Sequence, residues 1–102
     1  MIVALASSII NGVKTYHYIV KGWVQGVAFR YYTVDMAAGL GITGNVRNLA
    51  SGDVEVYAQG DEQSMAEFEL FLRRGPRSAR VEELVKEVFD GDQRFSGFDI
   101  AF

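Results

Sequence analysis

The residues with the clearest chemical potential lie in Lys21-Gly22-Trp23-Val24-Gln25-Gly26-Val27-Ala28-Phe29-Arg30. This stretch leaves an apolar strand pattern, passes through a short glycine-bearing turn and enters a helical pattern near Phe29. Such a junction is a place for an anion. Successive backbone N–H groups in the turn can converge on one point. The helix start adds free N–H donors and the positive end of its dipole. Arg30 adds a planar guanidinium whose forked donors match a phosphate or carboxylate edge. An arginine in a first helical turn opposes the dipole unless an anion sits there. The stretch therefore reads as the holder of a small dianion. The competing reading is an ordinary connection, with Gly26 supplying a positive φ and Arg30 solvated.

A second polar residue stands out at Asn48, just before Ser51-Gly52. Its amide both donates and accepts, which suits holding a water molecule in place. Its plainer role is that of a turn-flanking asparagine. His17 is the single histidine and alternates within a strand pattern, so it reads as a half-buried strand residue rather than a catalyst.

Composition narrows the chemistry further. The chain has 102 residues, enough for one domain, and 49% are hydrophobic, enough for a core without staples. With no cysteine and one histidine, disulfides, thiolate catalysis, cysteine-ligated zinc and multi-histidine metal sites are excluded. The lack of cysteine fits a reducing cytoplasmic location. A net charge of −3 disfavours a general nucleic-acid binder, and no apolar run approaches a membrane span. A net acidic chain that takes a phosphorylated ligand must concentrate positive charge locally, which again points to Arg30.

These residues need a scaffold. Tyr16–Val20 reads as a strand, with Tyr18 and Val20 sharing one face and His17, Ile19 and Lys21 the other. Phe29–Leu40 reads as a helix. Phe29, Thr33 or Tyr32, Met36, Ala37 and Leu40 form its apolar stripe, and Gly41 is expected as its left-handed cap. Strands are expected over Ile42–Ala50 and Asp53–Gly60, joined through Ser51-Gly52. Asp61 is expected to cap a helix over Glu62–Arg74, with Met65, Phe68, Phe71 and Leu72 facing the core and Gly75-Pro76 stopping it. Arg73, Arg74, Arg77 and Arg80 read as complements to that helix end. Val81, Leu84, Val85 and Val88 fit a helical period, so periodicity predicts a helix over Val81–Phe89. Phe98–Phe102 reads as a closing strand. Residues 1–14 form an N-terminal extension in which Asn11-Gly12 predicts a hairpin or extended arm, and residues 15–102 form the domain. The order of elements predicts a ferredoxin-like split βαβ sandwich of the α+β class, with an antiparallel sheet and two helices on one face. That topology hosts many functions.

Val24-Gln25-Gly26-Val27-Ala28-Phe29-Arg30 resembles the signature loop of the acylphosphatase family. Gly44-Asn45-Val46-Arg47-Asn48, followed by Gly52-Asp53-Val54-Glu55, resembles that family's second signature, and Phe95-Ser96-Gly97-Phe98-Asp99-Ile100 is similar to its C-terminal strand. The resemblance covers about residues 15 to 102. It implies a sheet of about five strands and turns Val81–Phe89 into a strand. It also implies hydrolysis of acyl phosphates to a carboxylate and inorganic phosphate, without metal or cofactor. Arg30 matches the family's phosphate-binding arginine and Asn48 its water-positioning asparagine. Gln25, Gly26, Val27, Ala28 and Phe29 match the loop whose backbone amides grip phosphate oxygens. Two positions depart from the pattern. Ala28 stands where glycine is frequent, which is tolerable with a negative φ there. Asn45 stands where tryptophan is usual, which removes an aromatic from beside the site.

The expected partner is a small-molecule acyl phosphate, with no nucleic acid and no membrane. The expected state is a monomer, the N-terminal arm being the element through which copies could associate. The alternative from another class is a non-catalytic ferredoxin-like module that binds an anionic ligand or a protein partner and does not turn it over.

Overall fold

The computed structural model describes residues 13–91 and 93–102. The expected Asn11-Gly12 hairpin lies outside the described residues. Chain order runs β1 (Lys14–Trp23), α1 (Phe29–Leu40), β2 (Thr43–Asn48), β3 (Val54–Gly60), α2 (Glu62–Arg74), β4 (Arg80–Val88) and β5 (Phe98–Ile100). The five strands form one sheet in the order β4-β1-β3-β2-β5. The first four strands pair antiparallel, as expected of the split βαβ plan. The fifth does not: β5 lies parallel to β2, with Val46 opposite Ile100, so the sheet is mixed. Among the described residues, no helix is long and apolar enough to cross a membrane.

Strand alternation sorts the sheet into two faces. Tyr18, Val20, Val46, Val54, Val56 and Ala58 are buried on one of them, and α1 and α2 cover it. Phe29, Thr33 and Ala37 are the buried residues of α1; Met65, Phe68 and Leu72 are those of α2. Phe71, expected in the α2 stripe, is half-buried at its border. Asp61 caps α2 as its sequence position predicts, its Oδ1 accepting from Ser64 N at 2.9 Å, and Gly41 ends α1 in the left-handed conformation. Arg73 and Arg74 occupy the last turn of α2, where their charge suits the dipole.

The helical period over Val81–Phe89 misleads for a definite reason. The segment is strand β4, and its pairing with β1 slips between Lys21 and Gly22. Gly22 faces Val81 and Lys21 faces Glu83, so Glu82 is the extra residue of a β-bulge. Past the bulge Val20 faces Leu84. Val81 and Leu84 therefore share a face at a spacing of three, and both pack against the core. A bulged strand has copied the spacing of a helix. The bulge also brings the backbones together at Gly22, where φ is 130° and a β-carbon would meet Arg80 O at 2.2 Å.

The opposite face carries a compact ionic group. Glu55 accepts from Arg47 Nε at 2.6 Å, and its second oxygen lies 2.8 Å from His17 Nε2. Burial alone raises the carboxyl's pKa, but the His17 and Arg47 hydrogen bonds outweigh it and hold the group below its ordinary value. His17 is thus committed to a structural partner. On the helix side, Tyr18 donates to Glu69 Oε2 at 2.7 Å, and Lys86 pairs with that same oxygen at 2.6 Å. Burial, then the Glu69 bond, pushes the Tyr18 phenol upward, so it stays a donor.

The sign of the Glu55 linkage follows from its lowered folded pKa. Its stabilisation is fully present above the unfolded carboxylate value of about 4.3 and is lost as pH falls through the folded value. Glu55→Gln is expected to unfold more readily in denaturant at pH 7 and to show a flatter loss of stability below about pH 4. Equal acid slopes for the two proteins would contradict the assignment.

Candidate active site

Between β1 and α1 the chain makes a run of bends over residues 25–28. Gly26 has φ 74°, and nothing lies within 4 Å of where its β-carbon would be. Its role is therefore conformational. Ala28 is the N-cap of α1 and also left-handed, with φ 62° and ψ 26°. This corrects the expectation of a negative φ. The turn needs a left-handed residue here to swing the chain into the helix, and alanine takes it at a cost of about 1–2 kcal/mol.

Alanine at the cap leaves the helix start chemically open. The preferred caps, Ser, Thr, Asp and Asn, place an oxygen on the first-turn N–H groups. Ala28 has none; no side-chain cap bond forms, and no acidic residue lies in the first turn. These donors and the positive dipole end remain for an external anion. Phe29, 1% exposed, anchors the helix start in the core. Thr33 Oγ1 donates to Phe29 O at 2.8 Å, and Tyr32 OH donates to Phe71 O at 2.8 Å, tying this turn to α2. Burial raises the Tyr32 pKa, with Arg74 acting against it, so the hydroxyl remains a donor.

Arg30 is half-buried in this first turn. Among the described residues no carboxylate lies within ion-pair distance of it. Its guanidinium carbon lies 5.9 Å from the centre of the Phe102 ring. The parallel β5 sets this proximity by carrying the chain past Val46, whose carbonyl accepts from Ala101 N at 2.8 Å, while Phe102 itself stays fully exposed. Phe102 was absent from the sequence-based candidates. Only the register of β5 on β2 puts it there, and a local motif holds no trace of that register.

Asn48 ends β2 opposite Val54. Val46, two residues before it, is fully buried toward the helices, so alternation puts Asn48 on that same side of the sheet. Arg30 and Asn48 thus share the helix-bearing side. Asn45, one residue before Val46, falls on the other face, opposite Tyr57. Asn48 Oδ1 is buried and has no hydrogen-bond partner among the described residues. Leaving such an oxygen unpaired costs about 1–3 kcal/mol, a cost removed by a bound water or ligand donor.

The Gln25 side chain joins the two halves. Its Nε2 donates to Leu49 O at 2.7 Å and to Asp53 O at 2.8 Å, both in the turn between β2 and β3. Only its backbone N–H is left to face an anion in the loop. Ser51 Oγ donates to Asp53 Oδ2 at 3.1 Å, and Lys21 Nζ reaches the same oxygen at 3.5 Å.

An open helix start, a guanidinium in its first turn and a carboxamide on the same side of a ferredoxin-like sheet make an arrangement that could receive an anion on a small α+β domain. Comparison with known proteins narrows the class. The acylphosphatase family model matches residues 16–100. An acylphosphatase of Vibrio parahaemolyticus is 46% identical over 88 residues, covering 86% of this chain and 97% of its own. An acylphosphatase of Pasteurella multocida is 39% identical, covering 83% and 94%. The solved acylphosphatase of Coxiella burnetii superposes with a TM-score of 0.84 at 34% identity, covering 90% of this chain and 96% of its own. The chain belongs to the acylphosphatase family.

Ala28 supplies a test of the loop's conformation. Ala28→Gly removes the left-handed cost, while the freer unfolded chain takes back about 0.4–1 kcal/mol. The expected result is a gain of up to about 1 kcal/mol in denaturant unfolding. A clear loss would contradict a left-handed residue 28.

Proposed function

We propose that this chain hydrolyses acyl phosphates by attack of water on phosphorus, with Arg30 and the 25–29 amides holding the phosphoryl group and Asn48 holding the water. The family assignment supports the reaction class. The observation that carries the residue roles is the buried, unpaired Asn48 Oδ1 on the same side of the sheet as Arg30. A carboxamide oxygen accepts one hydrogen of a water and leaves its lone pair free to point at phosphorus.

The reaction asks little acid–base power of the protein. Water forms a new P–O bond while the bond from phosphorus to the carboxylate oxygen breaks. The carboxylate leaves with the electron pair, and the water's proton ends on the phosphate product. Carboxylate is a good leaving group, so the protein's task is to align water and leaving group and to stabilise charge on the three equatorial oxygens. Arg30 supplies a two-pronged donor to two of them. The backbone N–H groups of the turn and the uncapped first helical turn supply the rest.

Arg30→Ala is expected to lower kcat on benzoyl phosphate by about 100- to 1000-fold and to weaken inhibition by inorganic phosphate. Arg30→Lys should recover little of either, because a point charge lacks the fork. Asn48→Ala should depress kcat while phosphate inhibition persists. Full kcat in Asn48→Ala would remove the water role. Phosphate binding by the unmodified protein without any benzoyl phosphate turnover would indicate a binding module.

A further inference from the structure

Gln25 sits in the phosphate loop, yet its side chain faces away from that task. One planar amide donates to two carbonyls, Leu49 O at 2.7 Å and Asp53 O at 2.8 Å. Both acceptors are already fixed. Asp53 O accepts from Leu49 N at 2.9 Å, and Leu49 O accepts from Gly52 N at 3.1 Å. Two bonds from one rigid group to two anchored oxygens set orientation as well as separation, which one bond would not. The ends of this link are well chosen. Gln25 directly precedes Gly26, where the loop's left-handed turn begins, and Leu49 directly follows Asn48. The strands behind them pair at Val20 and Val54, and Lys21 Nζ reaches Asp53 Oδ2 at 3.5 Å, but Gln25 is the loop residue that bonds across to the turn.

We propose that the Gln25 side chain is a positioning group, a strut that fixes the distance between the phosphate-gripping amides of residues 25–29 and the Asn48 carboxamide. This inference rests on the reading of Asn48 as the residue that holds the attacking water. With the strut cut, each half of the site keeps its own groups and phosphate still binds, but the water no longer sits in line with the P–O bond that breaks. A misplacement of about 1 Å can cost on the order of 100-fold in rate. A purely structural bond would instead change stability and leave turnover per folded molecule intact.

The experiment measures kcat, KM and the phosphate inhibition constant for Gln25→Ala, Gln25→Glu, Asn48→Ala and the Gln25→Ala/Asn48→Ala double variant, each corrected for its folded fraction by circular dichroism. Glutamate keeps the size of glutamine but presents acceptors where donors are needed. The expected result is a fall in kcat of about 10- to 100-fold for both Gln25 variants. Their phosphate inhibition should stay within about threefold of the unmodified protein, and Gln25→Ala should add less than about threefold to Asn48→Ala. Unchanged kcat in folded Gln25→Ala, or a full further loss in the double variant, would overturn the strut. An impaired Asn48→Ala beside a normal Gln25→Ala would sink the strut alone. An active Asn48→Ala would sink the water reading and the strut with it. Should Gln25→Ala not fold, Gln25→Asn, still a double donor but one methylene short, takes its place with the same expected split. Loss of folding in all three Gln25 variants would make the residue purely structural and overturn the proposal.

Discussion

The left-handed step at Ala28 is the constraint on which the site depends. It lets β1 run straight into α1 through only a few residues, so the helix begins directly beside the sheet end. It also fills the cap position with a side chain that has no oxygen. The helix start is satisfied geometrically and left unsatisfied chemically, and the donors that a serine or aspartate would have occupied stay available. The buried Phe29 ring, the Thr33 hydroxyl and the Tyr32 bond to α2 hold this costly turn in place. Local strain of this kind persists only where surrounding packing over-determines it.

The carboxylates packed on the two faces of the sheet are paired, which sharpens the contrast with Asn48. Glu55 is satisfied by His17 and Arg47, and Glu69 by Tyr18 and Lys86. Asn48 Oδ1 alone among the buried side-chain polar atoms described has no partner, and Arg30 has an aromatic ring beside it rather than a carboxylate. The helix end rich in arginine at 73 and 74 serves the dipole, whereas the arginine at the start of α1 works against it.

Much of this was legible in the sequence. Strand alternation put Tyr18 and Val20 on one common face, helical spacing found the buried faces of α1 and α2, and Asp61 announced its cap. Those signals are local, so a single stretch of chain contains them. The features that escaped depend on two stretches at once. The β4 bulge exists only in its pairing with β1, and without that pairing Val81 and Leu84 look helical. The parallel seating of β5 brings Phe102 to Arg30, and the Gln25 amide finds its carbonyls on another hairpin. Ala28 escaped for a different reason: alanine carries no preference for a left-handed conformation, so neighbouring packing decides.

The position of β1 in the sheet has a kinetic consequence. It lies between β3 and β4, and its two partners come from distant parts of the chain, the further one near the other terminus. No short hairpin can seed this central pairing, since the β2–β3 turn joins strands that lie to one side of it. Long loops must close before the favourable contacts accumulate, and topologies built that way cross a high entropic barrier. The strand that leads into the turn before α1 is thus also one whose pairing closes long stretches of chain.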